Sequence, residues 1–256
     1  MLIISLNIND FGGVNKHLAD YDWDWNLWKK VNKTSVIFNL KKLIEAKKPS
    51  VFIVQEFELN NSDEPMSFIN WMKNKGYSVK GIIPRHRISM TLFFVKFNNV
   101  SKIDVAHSIT GLTARDYAIR IDDYIIYGTH VPLNSKSRPT IREDYWEEII
   151  KFYKRHDKEK VLLIGDFNTY DKSSDAYKKY QKLLDQGAYD LWIKLGNPDN
   201  TPTEFKYRNR LDYVFISPSV EEYVLSMNID KNLMDVDKIS DHAAILLELK
   251  EIKTIN

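Results

Sequence analysis

Gly165-Asp166-Phe167-Asn168 follows directly on the apolar run Val161-Leu162-Leu163-Ile164. The run reads as a buried strand, and Gly165 ends it. Asp166 and Asn168 stand two apart, so in an extended chain both point to the same side. An acid and an amide are thus presented together at the carboxyl end of a buried strand, where α/β proteins place their chemistry. A strand end followed by Gly-Asp also serves as a plain turn, so the chemical reading depends on partners.

Partners stand at other strand ends. Leu2–Leu6 leads into Asn7, Val51–Val54 into Gln55-Glu56, and Ile125–Tyr127 into Gly128-Thr129-His130. Arg210-Leu211-Asp212-Tyr213 opens a strand, and Ser240-Asp241-His242 precedes the last one. These side chains can bind a hard cation or move a proton. A buried strand has little use for Glu or Asp at its mouth unless something pairs with it. Each has an ordinary reading alone: Asn7 a turn former, Glu56 a surface acid, His130 a hydrogen-bonded buried histidine. Oxygen-rich groups at successive strand ends point instead to one shared site.

The elements that must position these residues follow from the patterning. Strand-like runs recur at Leu2–Leu6, Val51–Val54, Thr91–Val95, Tyr117–Ile121, Tyr124–Tyr127, Val161–Ile164, Leu211–Ile216 and Ala243–Leu249. Helical spacing of apolar residues marks Ser35–Ala46 and Ile141–Tyr153, and a third helix over Ser173–Gln186 takes Ser173 or Ser174 as its cap. Its Lys172, Lys178, Lys179 and Lys182 read as a solvated face. Asp122-Asp123 reads as a tight hairpin turn. Several strands follow one another directly, so the series is not purely parallel. An α/β (α+β) fold of two packed mixed sheets with helices outside fits best.

Bulk properties set bounds. The 256 residues are 43% hydrophobic and 12% aromatic, enough for a large core. They suit one large domain or two small ones, and we read 1–256 as a single catalytic domain. Net charge is +2 from 37 basic and 35 acidic residues, which allows a local basic patch balanced by an acidic metal site. The chain has no Cys, which excludes disulfides, thiolate zinc and Cys nucleophiles. The N-terminus reads as a first strand rather than a leader. No apolar run approaches the roughly 18 residues of a membrane span. A cytoplasmic, soluble protein without a membrane partner is the expectation.

The ordered set Ser5-Leu6-Asn7, Gln55-Glu56, Gly165-Asp166-Phe167-Asn168, Arg210-Leu211-Asp212-Tyr213 and Ser240-Asp241-His242 resembles the endonuclease/exonuclease/phosphatase superfamily. That group includes DNase I, exonuclease III-type enzymes, neutral sphingomyelinases and inositol-polyphosphate 5-phosphatases. The resemblance implies a DNase I-like four-layer sandwich and metal-assisted hydrolysis of a phosphoester. Carboxylate and amide oxygens suit Mg²⁺ or Mn²⁺ rather than zinc. By resemblance Glu56 is the main metal ligand, with Asn7 and Asp241 completing or supporting the site. His242 is the general base or electrostatic partner, and Asp212 orients its imidazole. Asp166 and Asn168 place the attacking water and a phosphate oxygen. Exonuclease III-type enzymes carry Tyr at the position of His130. His130-Val131-Pro132 instead resembles the DNase I, sphingomyelinase and phosphatase pattern, in which this His contacts the phosphate or protonates the leaving oxygen. DNase I-type enzymes pair that His with an acid on a preceding strand, and Ile88–Val95 holds none.

The resemblance bears less on the substrate. Abasic-site enzymes carry Ala-His after Gly-Asp-Phe-Asn, where this chain has Thr169-Tyr170-Asp171-Lys172. Their Trp-rich loop is replaced by Thr203-Glu204-Phe205-Lys206-Tyr207. The Cys-Asp-Arg signature of inositol phosphatases is missing. Basic groups at Arg85-His86-Arg87, at Lys136, Arg138 and Arg142, and at Lys206, Arg208 and Arg210 favour a polyanion. Arg138, Arg142, Arg208 and Arg210 are the candidate phosphate contacts. Trp23, Trp25 and Trp28 read as packing rather than base stacking, because Asp22 and Asp24 would repel a phosphate backbone. The expectation is a monomeric DNA endo- or exonuclease, with DNA favoured over RNA. A phosphatase or phosphodiesterase on a small or lipid phosphoester is the alternative, and a non-catalytic binding module a further one.

Overall fold

The computed structural model describes residues 1–14, 32–59, 63–83, 89–105, 109 and 111–250. The Trp23–Trp28 segment and Arg85-His86-Arg87 lie outside the described residues. Twelve described strands form two six-stranded sheets. In the first, β1 (Leu2–Asn7) lies parallel to β2 (Val51–Phe57). Around them run β4 (Met90–Val95), β3 (Ser78–Lys80), β12 (Ala244–Leu249) and β11 (Val224–Asp230), all antiparallel. In the second, β7 (Tyr124–His130) lies parallel to β8 (Lys160–Asp166). Flanking them antiparallel are β6 (Asp116–Ile121), β5 (Val100–Ile103), β10 (Asp212–Ile216) and β9 (Tyr189–Asp190).

A parallel pair needs a crossover, and each sheet spends a helix on it. Helix α1 (Lys33–Lys47) leads into β2. Helix α3 (Ile141–His156) joins β7 to β8. With α2 (Glu64–Asn74), α1 packs Leu40, Ile44, Phe68 and Met72 on the outer face of the first sheet. With α4 (Asp175–Asp185), α3 packs Trp146, Ile149, Tyr180 and Leu183 on the outer face of the second. Between the sheets, Ile3, Ile53 and Phe93 meet Ile126, Leu162, Ile164 and Val214. The expected mixed-sheet sandwich flanked by helices is therefore the architecture.

Strand alternation aims the chemistry. Ile3 faces the inter-sheet core, Ile4 the helices, and the same count turns Asn7 inward. Along β7 and β8 it turns His130 and Asp166 inward as well, from Ile126 and Ile164. Both parallel pairs thus deliver polar residues to one mouth between the sheets. The Asp122-Asp123 hairpin forms as read, joining Ile121 and Tyr124. Ser174 caps α4, accepting from the Tyr177 N–H at 3.1 Å. Lys178 pairs with Asp175, and Lys179 and Lys182 with Glu147, as a solvated face requires. Strands β3, β5, β9 and β11 and helix α2 were not expected. Among the described residues no helix is long and apolar enough to cross a membrane.

Candidate active site

Asn7 is buried at the end of β1. Its Nδ2 donates to Glu56 Oε1 and to Asp166 Oδ2, each at 3.1 Å, so it ties the two sheets together. The Asn9 N–H donates to Asn7 Oδ1 at 3.0 Å and holds the amide in that orientation. Glu56 reaches the mouth through an irregularity. Val54 faces the helices, so plain alternation would turn Glu56 to the helix side too. Instead the β2–β4 register shifts between Val54 and Phe57, and Glu56 takes a left-handed φ of 51°. The bulge aims its carboxylate at the mouth and returns Phe57 to the helix side.

In the second sheet three site residues form a row, since His130 and Asp212 are both direct neighbours of Asp166. Asn168 lies at φ 47°, not in the extended backbone expected. It stays beside Asp166 through a turn, its N–H donating to Asp166 Oδ1 at 2.9 Å. Its Nδ2 donates to the Val131 carbonyl at 2.8 Å. His242 Nδ1 lies 2.8 Å from Asp212 Oδ2, and its Nε2 is 3.9 Å from Asp166 Oδ2. Ser240 Oγ donates to the Asn7 carbonyl and accepts from the His242 N–H, which ties the His242 loop to β1.

Charge is organised in opposite ways at the two histidines. Burial works against the His242 cation, but the carboxylates of Asp212, Asp166 and Asp241 outweigh it and hold the ring protonated well above the usual range. Burial and the Arg115 guanidinium push His130 down to about 3, against the pull of Glu56. Arg115 Nη1 sits 2.9 Å from His130 Nδ1, and a guanidinium offers only donors, so it faces a neutral ring. Burial raises Asp166 to about 7, opposed by His242 and reinforced by Asp212.

Arg115 answers the missing acid. Its carbonyl accepts from the His130 N–H at 2.9 Å and from Thr91 Oγ1 at 2.6 Å. The β4 strand therefore supplies Thr91, which fixes Arg115, which contacts His130. The sequence offered little to find it, because an Arg before a strand is ordinary.

These groups line a cleft of about 570 Å³ with Glu56, Arg115, His130, Asp166, Asn168, Asp241 and His242 in its wall. The atoms able to ligate a cation in Glu56, His130 and Asp166 lie within 4.8 Å of one another. The expected ligand set was Asn7, Glu56 and Asp241. Asn7 does meet Glu56, but through its Nδ2, its Oδ1 being taken by the Asn9 N–H; the group that forms is Glu56, His130 and Asp166, and Asp241 lines the cleft outside it. The donor set fits a hard divalent cation: it is oxygen-rich and holds a desolvated carboxyl beside further carboxylates.

The candidate phosphate contacts divide. Arg142 Nη1 reaches the Asn168 carbonyl at 3.3 Å and stands next to the site. Arg138 is exposed on the 132–140 loop and does not line the cleft. Arg208 pairs with Asp235 at 2.6 Å. Arg210 is buried, held by Asp190 at 2.7 Å and Asp199 at 2.8 Å and stacked 4.3 Å over Tyr213. Its job is structural: a buried guanidinium must be paired, and the expected phosphate role for Arg210 is withdrawn.

The family profile described as Endonuclease/Exonuclease/phosphatase matches residues 25–242. A search of curated protein sequences found no match. Among solved structures, an AP endonuclease from Archaeoglobus fulgidus is similar, with 16% identity, TM-score 0.72, and coverage of 98% of this chain and 100% of that one. A 3′-5′ exonuclease from Neisseria meningitidis has 17% identity, TM-score 0.70 and the same coverage. A 3′ phosphatase from Neisseria bound to product DNA hairpin has 17% identity and TM-score 0.66, again covering 98% and 100%. At these identities the structural likeness speaks for the fold.

Proposed function

The chain belongs to the endonuclease/exonuclease/phosphatase family, and from that premise we propose that it is a divalent-metal-dependent phosphodiesterase acting on DNA. The observation that carries the reading is the convergence of Asn7, Glu56, His130, Asp166 and His242 from two sheets on one cleft. Glu56 and Asp166, supported by Asn7, would hold Mg²⁺ or Mn²⁺. Bound there, the ion neutralises the phosphate and stabilises charge developing on the leaving oxygen.

The protein's own groups take distinct roles. His242, kept cationic by Asp212, donates to a phosphate oxygen as an electrostatic partner rather than a base. Asp166, held by the Asn7 amide and the Asn168 N–H, would place the attacking water by accepting its hydrogen bond. Asn168, anchored on Val131 and Asp166, positions that water. Neutral His130 hydrogen-bonds the phosphate, with Arg115 behind it as the adjoining cation. Arg142 stands beside Asn168 for a neighbouring phosphate.

Incubation with plasmid and with end-labelled oligonucleotides, in Mg²⁺ or Mn²⁺, tests the proposal. Metal-dependent nicking or shortening is expected. Glu56→Gln should lower it by about 10³-fold or more while the circular dichroism spectrum stays unchanged. Absence of DNA cleavage with any divalent ion would remove the nuclease reading. Turnover of a small or lipid phosphoester in that case would favour the alternative substrate class.

A further inference from the structure

The rim of the cleft carries apolar surface that the chemistry above does not use. Leu133, Tyr170 and Tyr207 line it and are 64%, 50% and 54% exposed. What distinguishes them from exposed apolar residues elsewhere is that all three stand in the wall of one cleft, where such surface can pack on a ligand.

Each is mounted on backbone pinned to the site. Tyr170 follows Thr169, which is buried and bonded three ways. The Thr169 hydroxyl accepts from Trp146 Nε1 at 2.9 Å and donates to the Phe167 carbonyl, and its own carbonyl accepts from the Tyr213 hydroxyl. Tyr207 stands on a loop wrapped around the buried Glu204 carboxylate, which accepts the Lys206 and Tyr207 N–H groups. That loop bridges to His242 and takes the Asp241 carbonyl through the Phe205 N–H at 2.8 Å. Lys206 Nζ lies 5.4 Å from the Tyr207 ring centre. Leu133 stands two residues after Val131, whose carbonyl holds Asn168. The rings are therefore presented on fixed backbone, which lowers the ordering cost of binding a flat group.

Apart from Arg115 and Arg142 at the reacting centre and Lys206 over the Tyr207 ring, cations near the same rim are compensated. Arg208 is held by Asp235, and Lys172 and Arg210 by Asp199. Continuous duplex is gripped mainly through cations that track two phosphate backbones. Single strands are gripped by aromatic faces that stack exposed bases. The rim has the second character.

We propose that Tyr170 and Tyr207, with Leu133 beside them, form a stacking clamp for an unstacked nucleotide next to the scissile phosphate. The preferred substrate is then single-stranded DNA or a frayed terminus rather than continuous duplex. This rests on the nuclease reading above. Both tyrosines act on substrate selection, not on the reacting atoms.

The test compares kcat/KM on a 5′-labelled 20-mer with that on the same strand in full duplex, in the metal that supports cleavage. Wild type should favour the single strand by about 10-fold or more. Tyr170→Ala and Tyr207→Ala should each cut single-strand kcat/KM by about 10-fold, mainly through KM, and bring the preference towards one. Tyr170→Trp and Tyr207→Trp should restore it, which separates stacking from a folding defect. A wild-type preference for duplex, or alanine variants that keep the single-strand preference, would overturn the clamp while leaving the nuclease reading intact. No hydrolysis of either substrate would overturn both.

Discussion

Asp166 and His130 stand 3.8 Å apart and carry opposite protonation demands. Burial raises Asp166 from 3.8 to about 7, so between those values the folded chain keeps a proton that the unfolded chain has released. For Asp166 acid adds stability, and the gain is lost as pH rises through 7. Burial and Arg115 lower His130 from 6.5 to about 3, so there the unfolded chain binds the extra proton. For His130 acid removes stability, from 6.5 downwards. In metal-free protein the two trends oppose. His130→Gln deletes one and leaves the other. The unfolding free energy of the variant from urea titration, relative to wild type, should improve between pH 7 and pH 5 by on the order of 1–2 kcal/mol. A gap that does not move with pH would mean that His130 titrates normally. At this scale the acids and histidines were legible, because charge at a buried strand end demands a partner. Arg115 was not, since its role depends on Thr91 and His130, fifteen or more positions away and on other strands.

The elements explain which residues meet. Each parallel pair, β1–β2 and β7–β8, ends at the mouth, and antiparallel β10 begins there, so chain direction alone gathers Asn7, His130, Asp166 and Asp212. The long apolar strands and both crossover helices could be read from their patterning. Strand β5, with exposed Ser101 and Lys102, and β9, of two residues, carry too little alternation to show. The Glu56 bulge was invisible for a different reason: strict alternation predicts the opposite face, and only the register shift against β4 corrects it. Gly165 is the other element-level device. It sits at φ 142°, and an added Cβ would lie 2.1 Å from the Thr129 carbonyl oxygen. That oxygen belongs to the β7–β8 ladder one step before the His130–Asp166 pair. Gly165→Ala must therefore push β7 and β8 apart beside the site. It should cost about 2–3 kcal/mol in urea unfolding and weaken hydrolysis by displacing Asp166. A loss below about 1 kcal/mol would show that the ladder absorbs a methyl group.

At the scale of the molecule the site is a seam. Asn7 and Glu56 come from one sheet, and His130 and Asp166 from the other. Beneath them the sheets pack closely: Gly128 leaves room for Phe93 and Ile53, which would lie 2.7 and 2.9 Å from an added Cβ. A cation held by Glu56 and Asp166 would therefore cross-link the two halves of the sandwich, and we propose that residues 1–256 work as one catalytic unit. Separation of the sheets destroys the ligand set, so the ion binds the folded chain alone and must stabilise it by mass action. Thermal unfolding should be a single transition whose midpoint climbs with Mg²⁺ or Mn²⁺. The gain should reach about 2.7 kcal/mol at a hundred times the dissociation constant. Glu56→Gln should keep the metal-free midpoint within a few degrees and lose most of the climb. Asp166→Asn should do the same from the opposite sheet. Equal metal stabilisation in all three proteins would place the ion elsewhere, whereas two separate transitions would mean that the sheets unfold independently and that the seam does not couple them.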